Sequence, residues 1–205
     1  AGCNTLQNRC TNPVSFYNAS GKCLYQQPMQ TYTTELSNPL GNVKKGIGYI
    51  DKNEKLVKEP KDYTYMNCMW LQDINDILKS IIFPEQVETA KRFDLKKEDY
   101  TFLYRYMSMY PRESDYPKYN PKDFEDSFKK YFLYGTFHKK IEKDSIRIFN
   151  IVGQAYGNLS DCAYIINEDK KIEFLLCAVL YVNEDGVIND GKYEYKTVGF
   201  PFFTN

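Results

Sequence analysis

The spacing of apolar positions changes twice along the chain. Residues 1 to about 65 carry only short apolar runs, set among Asn, Thr, Gly, Pro and Gln. "TNPVSFYN" and "NPLGNVKKGIGYI" have turn chemistry, which predicts ordered loops with short strands. From 68 to 135 the period is helical. Trp70, Leu71, Ile74, Ile77, Leu78 and Ile81 recur three and four apart and predict a helix stopped by Pro84. A second helix is expected over "KKEDYTFLYRYMSMY", ended by Pro111. A third is expected to start at Asn120 as cap and Pro121 in the first turn. It would carry Phe124, Phe128, Tyr131 and Phe132 inward and close at Gly135. From 146 the pattern turns to strands: "IRIFNIV" alternates, "DCAYIIN" follows, "IEFLLCAVLYV" is the longest and most apolar, and the three predict an antiparallel meander joined through "GQAYGNLS" and "NEDKK". The expected fold is α+β: an antiparallel sheet of three to five strands with helices packed on one side. Residues 1–65 form its irregular segment, 68–135 the helical one and 146–205 the sheet. With no internal repeat and no low-complexity linker, 1–205 reads as one domain.

Composition narrows the function classes. The chain has 205 residues, 42% hydrophobic and 26% charged, the balance of an ordered globular protein. Its 19 Tyr and 13 Phe predict an aromatic core with polar outlets for the hydroxyls. Lys plus Arg and Asp plus Glu are 27 each, so there is no basic excess for nucleic acid. No apolar run approaches the roughly 20 residues of a membrane-spanning helix. "AGCNTLQNRC" lacks the basic start and apolar core of a signal peptide. Six cysteines include no C-x-x-C pair, and His138 is the single histidine, so neither a metal nor a cofactor is expected. Cys162 and Cys177 lie in predicted strands and read as buried thiols. Cys3, Cys10 and Cys23 sit close together and could pair in an exported protein.

Several patterns carry possible chemistry beside a plainer reading. Gly153, Ala155 and Gly157 could cradle a phosphate, but the next segment is a strand where that site needs a helix. "SFKK" (Ser127 to Lys130) fits the S-x-x-K of acylating serine enzymes. On the expected third helix, however, Ser127 and the lysines face water. "SDC" (Ser160 to Cys162) and "KTVG" (Lys196 to Gly199) only approximate S-D-N and K-T-G. His138 falls in a charged segment with no cysteine in a reactive turn. The carboxylates of "NPKDFEDS" and "NEDGVINDG" lack the ligand alternation of a calcium loop. Asn18 and Asn158 head glycosylation sequons.

Read in order, "AGCNTLQNRCTNPVSFYN", "FPEQ", "YMSMYPRESDYPKY", "FLYG", "RIFNIVGQAYG", "AYIIN", "YVNEDGVINDGKYEY" and "VGFPF" resemble the C-terminal half of class A β-lactamase-like and penicillin-binding-type serine hydrolases, closest to a divergent Bacteroidetes branch. The resemblance covers nearly the whole chain. It implies an amide or ester substrate, an acyl-enzyme and a periplasmic or secreted setting. Its K-T-G-like triplet falls on Ile151, Val152 and Gly153, on a strand edging the cleft. Gly153 would admit substrate to the backbone, and the Gln154 N–H would donate to the oxyanion. Two departures follow. Ile151 replaces the lysine of that triplet, and the nucleophile segment belongs upstream of Ala1. The isolated chain is therefore expected to be inactive. The alternative is a non-catalytic binding or structural protein, its cleft along Gly153 to Tyr156 with Tyr156 as a stacking platform. A homodimer or partner chain is expected to cover the exposed sheet.

Overall fold

The structure is a computed structural model that describes residues 10–31, 41, 43–64, 66, 69–135, 141 and 145–204. The chain divides into two compact units, residues 1–68 and 69–205. The first is built of short antiparallel pairs. β1 (Cys10–Thr11) and β2 (Val14–Tyr17) lead to β3 (Cys23–Gln27) and β4 (Gln30–Thr31), with β1 pairing β4 and β2 pairing β3. β5 (Lys44–Lys45) and β6 (Gly48–Ile50) are followed by β7 (Leu56–Val57) and β8 (Lys61–Asp62), with β6 pairing β7 and β5 pairing β8. Asx turns set two of the reversals. Asn18 Oδ1 accepts from Ser20 N–H and Lys22 N–H, and Asp51 Oδ1 accepts from Asn53 N–H and Lys55 N–H.

The second unit opens with the two helices that the periodicity predicts, α1 (Leu71–Ile82) and α2 (Lys97–Ser108). At each N-terminus a carboxylate takes an otherwise unbonded amide: Asp73 Oδ2 accepts from Trp70 N–H at 3.3 Å and Asp99 Oδ2 from Lys96 N–H at 2.8 Å. Trp70 itself remains half exposed. After the single distorted turn α3 (Tyr131–Tyr134), the meander runs β9 (Ile146–Ala155), β10 (Asn158–Asn167) and β11 (Ile172–Tyr181), with β10 central. β12 (Val187–Ile188) and α4 (Phe200–Thr204) complete the unit. The fold is thus α+β with several small antiparallel sheets.

The helices do not share one side of the sheet. Cys162 and Tyr164 pack with Leu78, Ile74 and Met107 of α1 and α2. On the opposite face Leu159, Ala163 and Ile165 pack with Tyr131, Phe132, Phe200 and Phe203 of α3 and α4. The reason lies in β10. Residues 161 to 165 are buried without a break, so the strand needs cover on both faces, as a central strand with successive apolar positions does.

Two further expectations fail. The third helix does not form: residues 121–123 and 126–129 are turns and only Tyr131–Tyr134 has a helical assignment. Lys129 and Leu133 adopt positive φ (60° and 70°), and the amides that a helix would use are taken by the Asp161 carboxylate. Asn120 still begins a turn and Gly135, at φ 60°, still closes one. Cys162 and Cys177 are not thiols but a disulfide between paired positions of β10 and β11. Cys10 is also disulfide-bonded, whereas Cys23 is an exposed free thiol; Cys3 and His138 lie outside the described residues.

Candidate functional site

The sequence "GQAYGNLS" is continuous strand except for two residues. Tyr156 (φ 51°) and Gly157 (φ 82°) are both left-handed, the geometry of a two-residue type I′ hairpin. Such a loop closes on a hydrogen-bonded pair, here Ala155 with Asn158. Alternation then places Gln154, Val152, Asn150 and Ile148 in non-hydrogen-bonded pairs, with N–H and C=O directed away from β10. β9 is an edge strand among the described residues, so these groups face outward. Ile148 shows it directly, since its carbonyl accepts from the Lys130 ammonium at 2.7 Å.

The five positions that the resemblance singles out are therefore split between two faces. Val152 and Gln154 share the face of Leu159 and Asp161, whereas Ile151 and Gly153 share the face of Cys162 and Ser160. Ile151 is 37% exposed. The space beside Gly153 is filled from within the sheet, because a Cβ there would lie 2.6 Å from Ser160 Oγ. Tyr156 sits at the hairpin tip, half exposed.

A polar network holds the outward face of β9. Lys130 is 4% exposed, yet its ammonium donates at 2.7 Å to each of Met107 O, Ile148 O and Asn150 Oδ1. Met107 O is one of the last carbonyls of α2, so the cation also closes that helix end. Asn150 Nδ2 donates to Lys129 O at 2.9 Å and to Asp161 Oδ1 at 3.0 Å. Asp161 is fully buried, and its Oδ2 accepts from Tyr131 N–H and Phe132 N–H, both at 3.1 Å. Burial pushes the Lys130 ammonium down to about 8, partly opposed by Asp161. Burial pushes the Asp161 carboxyl up to about 6 against the bonds that favour its ionised form. Burial likewise raises the Tyr131 hydroxyl to about 12. Every ammonium proton of Lys130 has a protein acceptor, which makes the network architectural in the first place.

Beside it lies a cavity of about 310 Å³, bounded by Tyr106, Met107, Phe128, Lys129, Asn150 and Val152 among others. Next to the lining residue Lys129, Gln154 Oε1 accepts from Tyr131 Oη at 3.2 Å and from Lys129 Nζ at 3.4 Å. Lys129 Nζ also reaches Tyr131 Oη at 3.3 Å and stands 5.5 Å from the centre of the Phe128 ring. No carboxylate pairs with Lys129 among the described residues.

The sequence brought Val152 and Gln154 to notice, turned Lys129 and Lys130 of "SFKK" to water, took Asp161 only as part of "SDC", and missed Asn150. Asn150 and Asp161 did leave a signal, as polar residues inside apolar strands. "SFKK" matters for packing and not as read: Ser127 is 1% exposed and Lys130 is buried, so neither faces water. The three acceptors of Lys130 do not include Ser127, so these two do not form a nucleophile–base pair. "KTVG" falls in the wide helical turn Tyr195–Gly199, not on a strand, and packs Gly199 against Leu159. No group of three or more metal-ligating side chains occurs among the described residues. No described helix is long and apolar enough to cross a membrane. Comparison of the chain with protein-family models, curated proteins and solved structures returned no match.

Proposed function

We propose that the 69–205 unit is a non-catalytic binding module whose ligand lies along the open edge of β9. The observation that carries this reading is the juxtaposition of a strand edge that pairs with no other strand among the described residues with the cavity bounded by Val152, Asn150, Phe128 and Lys129. An edge strand offers outward amides and carbonyls to an amide-bearing ligand, and the apolar walls take its side chain. Gln154, in contact with the lining residue Lys129, supplies both a backbone donor and a side-chain amide. Amide resonances of Val152 and Gln154 are expected to shift on titration with N-acetylated amino acids and dipeptides, with the ligands recovered unchanged. Titrations that leave both resonances in place exclude the module.

A second reading keeps the hydrolase resemblance. The outward direction of the Gln154 N–H favours it, because an oxyanion donor must point into a cleft and not across the sheet. On that reading β9 is one wall of a serine-hydrolase cleft, and the attacking hydroxyl comes from outside the described residues. The present chain then forms no acyl-enzyme. Mass spectrometry after incubation with a penicillin or an activated ester tests this. Stoichiometric labelling of any serine here, Ser127 included, overturns both readings.

A further inference from the structure

The Lys129 carbonyl belongs to the packing of the unit, accepting from Asn150 Nδ2, but its side chain has a position that this packing does not require. Its neighbour Lys130 satisfies the carbonyls of α2 and β9, so Lys129 is not needed for that task. It nevertheless sits at φ 60°, a region that side chains other than glycine, asparagine and aspartate rarely occupy. That twist turns its ammonium to the cavity rim, where its nearest polar atoms are a neutral amide oxygen and a neutral hydroxyl. Gln154 uses Oε1 for both of these contacts, which leaves its Nε2 as a donor with no protein acceptor among the described residues. The rim therefore presents one cation and one amide donor, both without an anion among the described residues. The cavity below them is walled by Phe128, Tyr106, Met107 and Val152.

Resting on the binding reading above, we propose that the ligand is an N-acylated amino acid with a free α-carboxylate and an apolar side chain, and that Lys129 is its carboxylate anchor. The carboxylate pairs with Lys129 Nζ and Gln154 Nε2. The acyl amide lies along the outward backbone of Val152 and Gln154, and the side chain enters between Phe128 and Tyr106. Charge complementarity selects this occupant, since a neutral ligand leaves the ammonium without a counter-ion in a half-apolar site. A volume of about 310 Å³ is at the lower end of small-molecule sites, enough for one acylated residue and too small for a long peptide.

Calorimetric titration of the full chain with N-acetylphenylalanine and with N-acetylphenylalaninamide separates the outcomes. The acid is expected to bind about tenfold more tightly than the amide, the preference shrinking as salt is raised. Lys129→Asn, which removes the charge and tolerates the left-handed backbone, is expected to erase the preference, so that acid and amide bind with equal affinity. Equal binding of acid and amide to the unmodified chain, or a preference that survives in Lys129→Asn, overturns the anchor while the groove stands. Should neither compound bind, the binding reading itself falls and the anchor with it. If Lys129→Asn does not fold, the acid-to-amide ratio and its salt dependence on the unmodified chain decide.

Discussion

Lys130 shows how one side chain can decide a local conformation. Its ammonium takes a helix-end carbonyl, a strand-edge carbonyl and a side-chain amide at once, which ties the end of α2 to β9. Lys130→Met strands one buried and two partly buried acceptors and removes the cation opposite Asp161. Denaturant unfolding is expected to show a loss of about 3 kcal/mol, whereas Lys129→Met, at the rim, stays within about 0.5 kcal/mol. Titration of the pair gives a second signature. The Asp161 carboxyl is raised from 3.8 to about 6 by burial, so its contribution is complete below pH 3.8 and is lost as pH rises through 6. The Lys130 ammonium is lowered from 10.5 to about 8, so between those values the unfolded chain holds the extra proton and stability rises with pH. Each slope is bounded by one proton, about 1.4 kcal/mol per pH unit. Unfolding measured at steps from pH 4 to pH 10 is expected to show the acid-side slope vanish in Asp161→Asn. A slope unchanged in that variant assigns it to other groups.

Among the elements, the β9–β10 hairpin couples the site to the rest of the sheet, and two of its glycines have different reasons. Gly153 faces Ser160 Oγ, the movable end of a short side chain, whereas Gly157 combines φ 82° with a backbone oxygen 3.0 Å from any added Cβ. Gly153→Ala is expected to cost about 1 kcal/mol and next to nothing in a Ser160→Ala background. Gly157→Ala is expected to cost about 2 kcal/mol in either background. A double-mutant cycle measured by thermal unfolding reads the difference. These two residues also mark where the sequence was legible. All three strands were legible as short apolar runs between turn signals, with alternation clear in β9 and continuous burial in β10. α1 and α2 were legible because their apolar stripes bury against one surface. The third helix was misread because its favourable cap, proline and aromatic spacing were outweighed by partners far along the chain. Asp161 lies about thirty positions from the amides it captures, and no local rule reports it. The same holds for the disulfide, since Cys162 and Cys177 become opposite only once the register is fixed.

For the whole 69–205 unit, the two sheet edges have different fates. β9 is occupied along part of its length by Lys130 and bordered by the candidate groove. β11 is the other edge among the described residues, ten residues long and rich in apolar side chains. Ile172, Phe174 and Leu176 are 40–49% exposed, and Val179 and Tyr181 are 54% and 43% exposed. A long apolar edge of this kind pairs with another strand unless charge or proline blunts it. Glu173 does not blunt it, because its carboxylate is held by the Tyr164 hydroxyl within the sheet. The purified chain is accordingly expected to self-associate, with sedimentation velocity showing a dimer that dissociates on dilution. Leu176→Lys combined with Val179→Lys places a charge on each face of the edge and is expected to hold the chain monomeric without altering ligand titration at β9. A dimer that persists in this variant locates the contact elsewhere. A chain that stays monomeric at every concentration shows that β11 tolerates exposure despite its composition.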